Sequence, residues 1–189
     1  MATVKVRLID TDVLSNIILM AKRGNVTLNI TDTVDHFQIV TTDIVCSEIQ
    51  TGLNKMKSSK IYNNVSVNND EIEDISKIWM DIKSSLIIKK GISDPIRLKD
   101  RGEQSLVYLC RTIDNNVKIV SNNRKDVIKF LEIINLNISI YETPFEFYEE
   151  VHRSWFKDYK DLIKFMILAN NNFRVYDKNF LGKNILKRL

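Results

Sequence analysis

"VRLIDTDVLSNII" (residues 6–18) sets an apolar run, two carboxylates two residues apart and a second apolar run one after another. The first run reads as a buried strand. The second has the spacing of a helix from about Asp12 to Lys22. Asp10 and Asp12 therefore fall where the strand ends and the helix begins. One reading makes them a helix cap and its neighbour, because short polar side chains satisfy the free N–H groups there. The other makes Asp10 a metal ligand, with Asp12 capping or assisting, and the rest of the chain must then supply its partners.

Outward from that stretch, "FQIVTT" (37–42) reads as a second strand, and "TTDIVCSEIQTGL" (41–53) starts a helix capped by Thr42 or Asp43. "KIYNNVSV" (60–67) fits a strand or a loop. "NNDEIEDISKIWMDIKSSL" (68–86) carries acids in its first turn and apolar residues at helical spacing, an amphipathic helix. Another helix is expected over about 99–114, then a strand in "VKIVS" (117–121), a helix in "RKDVIKFLEII" (124–134) and a last strand in "ISIY" (138–141). Strands alternating with helices predict an α/β fold with a mainly parallel sheet covered on both faces. From Pro144 the chain turns helical through "PFEFYEEVHRSWFKDYKDLIKFMILA" and ends in the polar, basic "NNNFRVYDKNFLGKNILKRL". Trp155, Phe156, Tyr159, Leu162, Ile163 and Met166 fall at helical spacing and read as core or interface rather than a platform for stacked bases.

An apolar fraction of 44% over 189 residues is enough for a folded core and excludes a disordered chain. Five Gly and two Pro are too few for a turn-rich all-β fold. No apolar run reaches the ~18 residues of a membrane helix and the N-terminus lacks a signal-peptide pattern, so a cytoplasmic protein without a membrane partner is expected. Cys46 and Cys110 lie in apolar helical patterns and read as buried free thiols. The net charge of +4 is uneven: His152 to Leu189 holds nine Lys/Arg against three Asp, and the remainder sums to −2. A basic end suits a polyanion or an acidic partner, and a solvated helix face equally.

The informative acids stand where periodicity expects apolar residues. Glu48 is flanked by Val45, Ile49 and Leu53, on or beside the face that packs on the sheet. In "LKDRGEQSLVYLCRTI" (98–113) the stripe Leu106, Val107, Cys110 and Ile113, extended backwards, reaches Glu103 and then Asp100. In an open α/β sheet the carboxyl ends of the strands and the neighbouring helix starts surround one crevice, where Asp10, Glu48, Glu103 and Asp100 can all point. Carboxylates that close repel unless a cation neutralises them, and an all-oxygen set suits Mg²⁺ or Mn²⁺. Each acid also has an ordinary reading. Glu48 can reach water at the edge of its stripe, and Asp100 and Glu103 favour the dipole of a helix start.

In that order, these residues resemble the PIN-domain family of metal-dependent nucleases. "LIDTDVL" is similar to the family's first-strand motif, "IVTTDIVCSEIQTGL" to its strand-then-helix segment with an internal Glu, and "LKDRGEQSLVYLC" to the subgroup whose third acid follows a Gly. "VKIVSNNRKDVIKFL" resembles the next strand and its acidic end, with Asn123 where an Asp is usual. The resemblance spans roughly residues 4–141. It implies a PIN-like α/β/α sandwich over 1–143, with 144–189 as a basic helical extension packed on it or extending from it. It makes Asp10, Glu48 and Glu103 the catalytic, metal-binding acids, with Asn123 and then Asp126 and Asp100 as further candidate ligands for Mg²⁺ or Mn²⁺. Ser121 and Asp12 would position water or phosphate. Arg124, Lys125, Lys183, Lys187 and Arg188 are the expected nucleic-acid contacts.

The implied activity is endoribonuclease cleavage of RNA, with a toxin–antitoxin pair as setting, an antitoxin protein as partner and a homodimer as a plausible assembly. Two alternatives stay open. Asn123 brings no charge to the site, which favours a degenerate PIN fold that binds RNA or protein without cutting. "DTDVL" and "KIVSN" also resemble motifs of haloacid-dehalogenase-type phosphohydrolases, with Asp10 as nucleophile, but that reading leaves Glu48 and Glu103 without a role. Its final acidic pair would have to be Asp158 and Asp161, inside an amphipathic helix.

Overall fold

The computed structural model describes residues 4–34, 37–58, 69–89, 100–113 and 116–173. The strand-or-loop segment 60–67 and the cations Lys183, Lys187 and Arg188 lie outside them.

β1 (Lys5–Ile9) is the centre of a six-stranded, mostly parallel sheet. Val6 to Ile9 are all buried, and successive side chains point to opposite faces, so both faces of β1 are covered. β3 (Phe37–Thr42) pairs parallel to it on one side and β5 (Val117–Val120) parallel on the other. The outer edge of β3 is shared by β2 (Thr33–Val34), antiparallel, and β4 (Ile87–Lys89), parallel. β6 (Tyr141–Glu142) pairs parallel beyond β5. β2 and β4 escape sequence reading because they are two and three residues long, too short for periodicity to register. The expected strand at 138–141 is corrected: Ile138–Ile140 form a 3₁₀ turn, and only Tyr141 with Glu142 joins the sheet.

The helices are α1 (Thr11–Gly24), α2 (Asp43–Ser58), α3 (Asn69–Ser85), α4 (Arg101–Cys110), α5 (Arg124–Ile133), α6 (Pro144–Trp155) and α7 (Tyr159–Phe173). Their starts follow ordinary capping chemistry. The Thr42 hydroxyl accepts from Val45 N–H at 3.2 Å, and Thr143 with Glu146 makes a reciprocal capping box at α6. At α1 the cap is Asp10, not Asp12: Oδ1 of Asp10 accepts from Thr11 N–H at 2.7 Å, and Asp12 sits in the first turn. Both thiols are free and buried.

α6 and α7 belong to the same core as the sheet. Trp155, Leu162 and Phe165 are fully buried, Phe156 and Met166 nearly so, and α7 packs on α1. The chain at Trp155 is also tied backwards: its indole N–H donates to Thr31 O at 3.2 Å, and its carbonyl accepts from Asn29 N–H at 2.9 Å. The aromatic run is thus core, as its spacing predicts. No helix among the described residues is long and apolar enough to cross a membrane.

One charged side chain crosses this core. Arg7 is 3% exposed; its guanidinium lies over the Phe37 ring at 5.0 Å, with Nε 2.6 Å from Oε2 of Glu142 and NH2 2.8 Å from Oε2 of Glu150. The Nε–Oε2 contact is an ion contact without hydrogen-bond alignment. Lys118 reaches the other oxygen of Glu142 at 3.3 Å. Burial pushes the Glu142 carboxyl up from its ordinary range, and Arg7 pulls it back.

Candidate active site

β1 has β3 on one side and β5 on the other, so the chain reverses its direction of travel across the sheet at β1. In open sheets the crevice outside the strand ends at such a point is the usual ligand site. Asp10 leaves β1 there, buried to 1% exposure, and Ser121 leaves β5 beside it. The Ser121 hydroxyl donates to Oδ2 of Asp10 at 2.5 Å and accepts from Asn123 N–H at 2.9 Å. Tyr141 in turn donates to Ser121 O at 3.0 Å. Burial, then the charges of Glu103 and Asp12, push the Asp10 carboxyl well above the usual carboxylate range, against the pull of Ser121 and Thr11 N–H.

Glu48 enters from α2 and is clamped. Thr11 Oγ1 donates to its Oε2 at 2.6 Å and Gly102 N–H to its Oε1 at 2.9 Å. The Gly102 N–H is available because the first turn of a helix leaves its amides without internal partners. Gly102 is also required sterically: a Cβ there would stand 2.6 Å from Oε2 of Glu48 and 3.2 Å from Thr11 Oγ1. Burial and then Glu48 raise the Asp12 carboxyl. Gly102→Ala should therefore leave the fold intact, because the atom in the way ends a flexible side chain, but displace Glu48.

Glu103 lies in the first turn of α4, and burial raises its carboxyl while the Asn123 amide, donating to Oε1 at 2.9 Å, pulls it down. Asn123 caps α5, its Oδ1 accepting from Asp126 N–H at 3.4 Å, and its Nδ2 also donates to Oδ2 of Asp126 at 2.8 Å. Asp126 thus faces the site. Asn123 presents N–H groups to two carboxylates, where the resemblance asks for an oxygen ligand. Asp100, at the start of α4, has left-handed backbone (φ 59°) and no capping bond, and contributes charge to Glu103. Arg124 and Lys125 are exposed at the start of α5, with Arg124 over the Tyr141 ring at 6.0 Å.

Charge from neighbouring acids thus adds to burial in raising Asp10, Asp12 and Glu103, although no three Asp, Glu, His or Cys among the described residues are drawn together at ligating distance. The donor set is oxygen only, the kind that suits a hard divalent cation, and backbone and hydroxyl donors fix Asp10 and Glu48 in place. Sequence reading missed Thr11, Gly102 and Tyr141, which touch carboxylates or their supports. Thr11 was visible between two acids, and Gly102 before Glu103 in a first turn.

A cavity of about 520 Å³ lies beside Glu48 between α2 and α4, lined by Ser47, Thr51, Gly52, Lys55 and Arg101. A second, of about 260 Å³, lies across α2, lined by Asp12, Ser15, Leu19, Ile49, Leu53 and Ile75. Glu48 and Gly52 border both. Gly52 sits inside α2, where glycine costs roughly 1 kcal/mol relative to alanine, yet among the described residues a Cβ there would meet no atom within 4 Å. No family model matches the chain, and no curated protein and no solved structure matches it.

Proposed function

We propose that this chain is a divalent-metal-dependent ribonuclease of PIN type. The observation that carries the reading is Asp10: a carboxylate buried at the reversal point of the sheet, beside Glu103 and Asp12, whose charges raise its affinity for a proton. Such a group calls for positive charge, and a hard cation supplies it without a proton. Asp10, Glu48 and Glu103 would hold Mg²⁺ or Mn²⁺, with Asp12 adjoining. The bound cation supplies activation of water and stabilisation of charge on the phosphate and leaving oxygen.

The chain's own residues do the rest. Thr11 and Gly102 fix Glu48, while Ser121 and Thr11 N–H fix Asp10. The Asn123 amide holds Glu103 and Asp126 without adding charge, so a second cation would be held weakly there. Arg124 and Lys125 stand at the rim, where a phosphate backbone would pass.

The test is cleavage of end-labelled RNA and single-stranded DNA with Mn²⁺, Mg²⁺ or EDTA, together with melting curves. Cleavage of RNA that needs metal is expected. Mn²⁺ at a hundred times its Kd should add about 2.7 kcal/mol of stability. Absence of cutting by folded protein whose melting Mn²⁺ leaves unmoved would remove the nuclease reading. The donor role of Asn123 favours one second reading, a PIN-type fold that binds RNA without cutting, and that result would select it. The phosphohydrolase reading gains nothing from Asp158, which accepts from Asp161 N–H as the cap of α7.

A further inference from the structure

We propose that the cavity at the start of β1 and β5 binds a small organic anion, its charged head on Lys5, Arg7 and Lys118 and its apolar body along Ile113, Leu136 and Ile140. The site lies at the opposite end of β1 from Asp10, and it stands apart from the nuclease reading.

Strand register builds the charged wall. Arg7 pairs with Lys118 across β1 and β5, and Lys5 stands two residues before Arg7, so all three side chains leave the same face of the sheet. Like charges set side by side on a sheet repel, and acids must answer them. Glu142 answers two of them, with one oxygen 2.6 Å from Arg7 Nε and the other 3.3 Å from Lys118 Nζ. Glu150 answers Arg7 again, its two oxygens accepting from NH2 at 3.1 and 2.8 Å. Three cations thus face two acids.

The two acids are held differently. Glu142 is 3% exposed and belongs to the core. Glu150 is 39% exposed at the wall of the cavity, and an ion pair open to water is weak. Its carboxylate marks what this edge of the guanidinium accepts: a head with two oxygens, approached from the cavity side. A carboxylate or phosphate from outside the chain can take that place, with Lys5 and Lys118 adding charge. Arg7 is fixed by Glu142 and by the Phe37 ring, so it is set in place before any ligand arrives.

The other walls describe the body of the ligand. The cavity holds about 520 Å³, within the roughly 300–1,000 Å³ of ligand pockets. Among the described residues, Ile113, Leu136 and Ile140 give it an apolar side, while Asn116 and Ser139 add an amide and a hydroxyl. A bare inorganic anion would meet only the cations. An anion carrying a ring or a short chain would meet both walls.

The test is a melting titration of the full chain in EDTA at fixed ionic strength. The probes are adenosine monophosphate against inorganic phosphate, and hexanoate against acetate. At least one organic anion should bind about 10-fold tighter than its bare head, the scale of burying two CH₂ groups. The pair that shows the gain identifies the head as phosphate or carboxylate. Lys5→Gln with Lys118→Gln, both at solvent-facing positions, should keep the fold and weaken that binding at least about 10-fold, the scale of losing hydrogen bonds to a charged group. Lys5→Gln alone should weaken it in the same direction. Glu150→Gln should tighten it about three- to fivefold, because it removes the competing charge and keeps the side chain's length. Asp10→Asn should bind as the parent does. No gain from either organic body, full binding in the folded lysine variants, no gain in Glu150→Gln, or loss of binding in Asp10→Asn would each overturn the site.

Discussion

Replacing Arg7 by Met should cost about 3–5 kcal/mol, the usual penalty for removing one partner of a buried ion pair. The melting temperature should fall by roughly 10 °C, at about 2–4 °C per kcal/mol for a chain of this size. The reason is Glu142, itself 3% exposed, which would lose its closest cation and keep only Lys118 at 3.3 Å. Glu150 contributes less to the penalty, because at 39% exposure it can turn to water. The double variant Arg7→Met with Glu142→Leu removes both buried charges and should recover most of the loss, since well-packed apolar replacements of such pairs are often neutral or better. Thermal melting of the two variants decides the matter. A double variant no more stable than Arg7→Met would show that the guanidinium acts through its place over Phe37 instead.

Asp10→Asn should do two opposite things. Cleavage of RNA should fall at least about 100-fold, the scale of losing a group that positions and stabilises charge in a transition state. Stability without metal should rise, because burial and the neighbouring acids hold the removed carboxylate well above its ordinary range. The amide can keep both neighbours: its oxygen accepts from Thr11 N–H, and its NH₂ can donate to the Ser121 hydroxyl.

The sign with pH follows from linkage. The folded state holds protons on Asp10 and Glu103 above the pH at which the unfolded chain releases them. Metal-free parent protein therefore loses stability as pH rises from the ordinary carboxylate range through the raised values. In the Asn variant the Asp10 part of that slope disappears. Melting curves across that window, with EDTA and then Mn²⁺, test it: Mn²⁺ should stabilise the parent and leave the variant nearly unchanged. A variant less stable than its parent at neutral pH and free of metal would mean that the carboxylate is satisfied by the protein alone.

The strand–helix alternation was legible because it is local: the buried run before Asp10, the stripes around Glu48 and Glu103, and the helix starts at Thr42 and Pro144 all lie within a few residues of what they predict. The carboxylates could be named for the same reason, since each breaks a short-range period. What ties them could not be named. Thr11 to Glu48, Gly102 to Glu48 and Ser121 to Asp10 join residues 37, 54 and 111 apart in sequence. Arg7 was invisible as a core charge because its partner Glu150 is 143 residues away. Asn123 stood out as a departure from a pattern, but only geometry gives its amide two carboxylates to hold. The 3₁₀ turn at Ile138–Ile140 was read as a strand because a stretch of four residues is too short for periodicity to tell the two apart.

The central position of β1 also bears on how the chain is made. Of the sheet's strands β1 comes earliest in the chain; it pairs on one side with β3, which follows soon after, and on the other with β5, which comes more than a hundred residues later. Until β5 has left the ribosome, then, Val6 to Ile9 present an unpaired edge, open to strands of other chains. The Ser121–Asp10 contact closes only when β5 arrives, and Arg7 must wait longer still for Glu150. Folding of this protein should be slow and late, set by its longest contacts. A truncated chain ending before β5 would carry every residue of the first motif and no assembled site, and it would be the form most prone to aggregate.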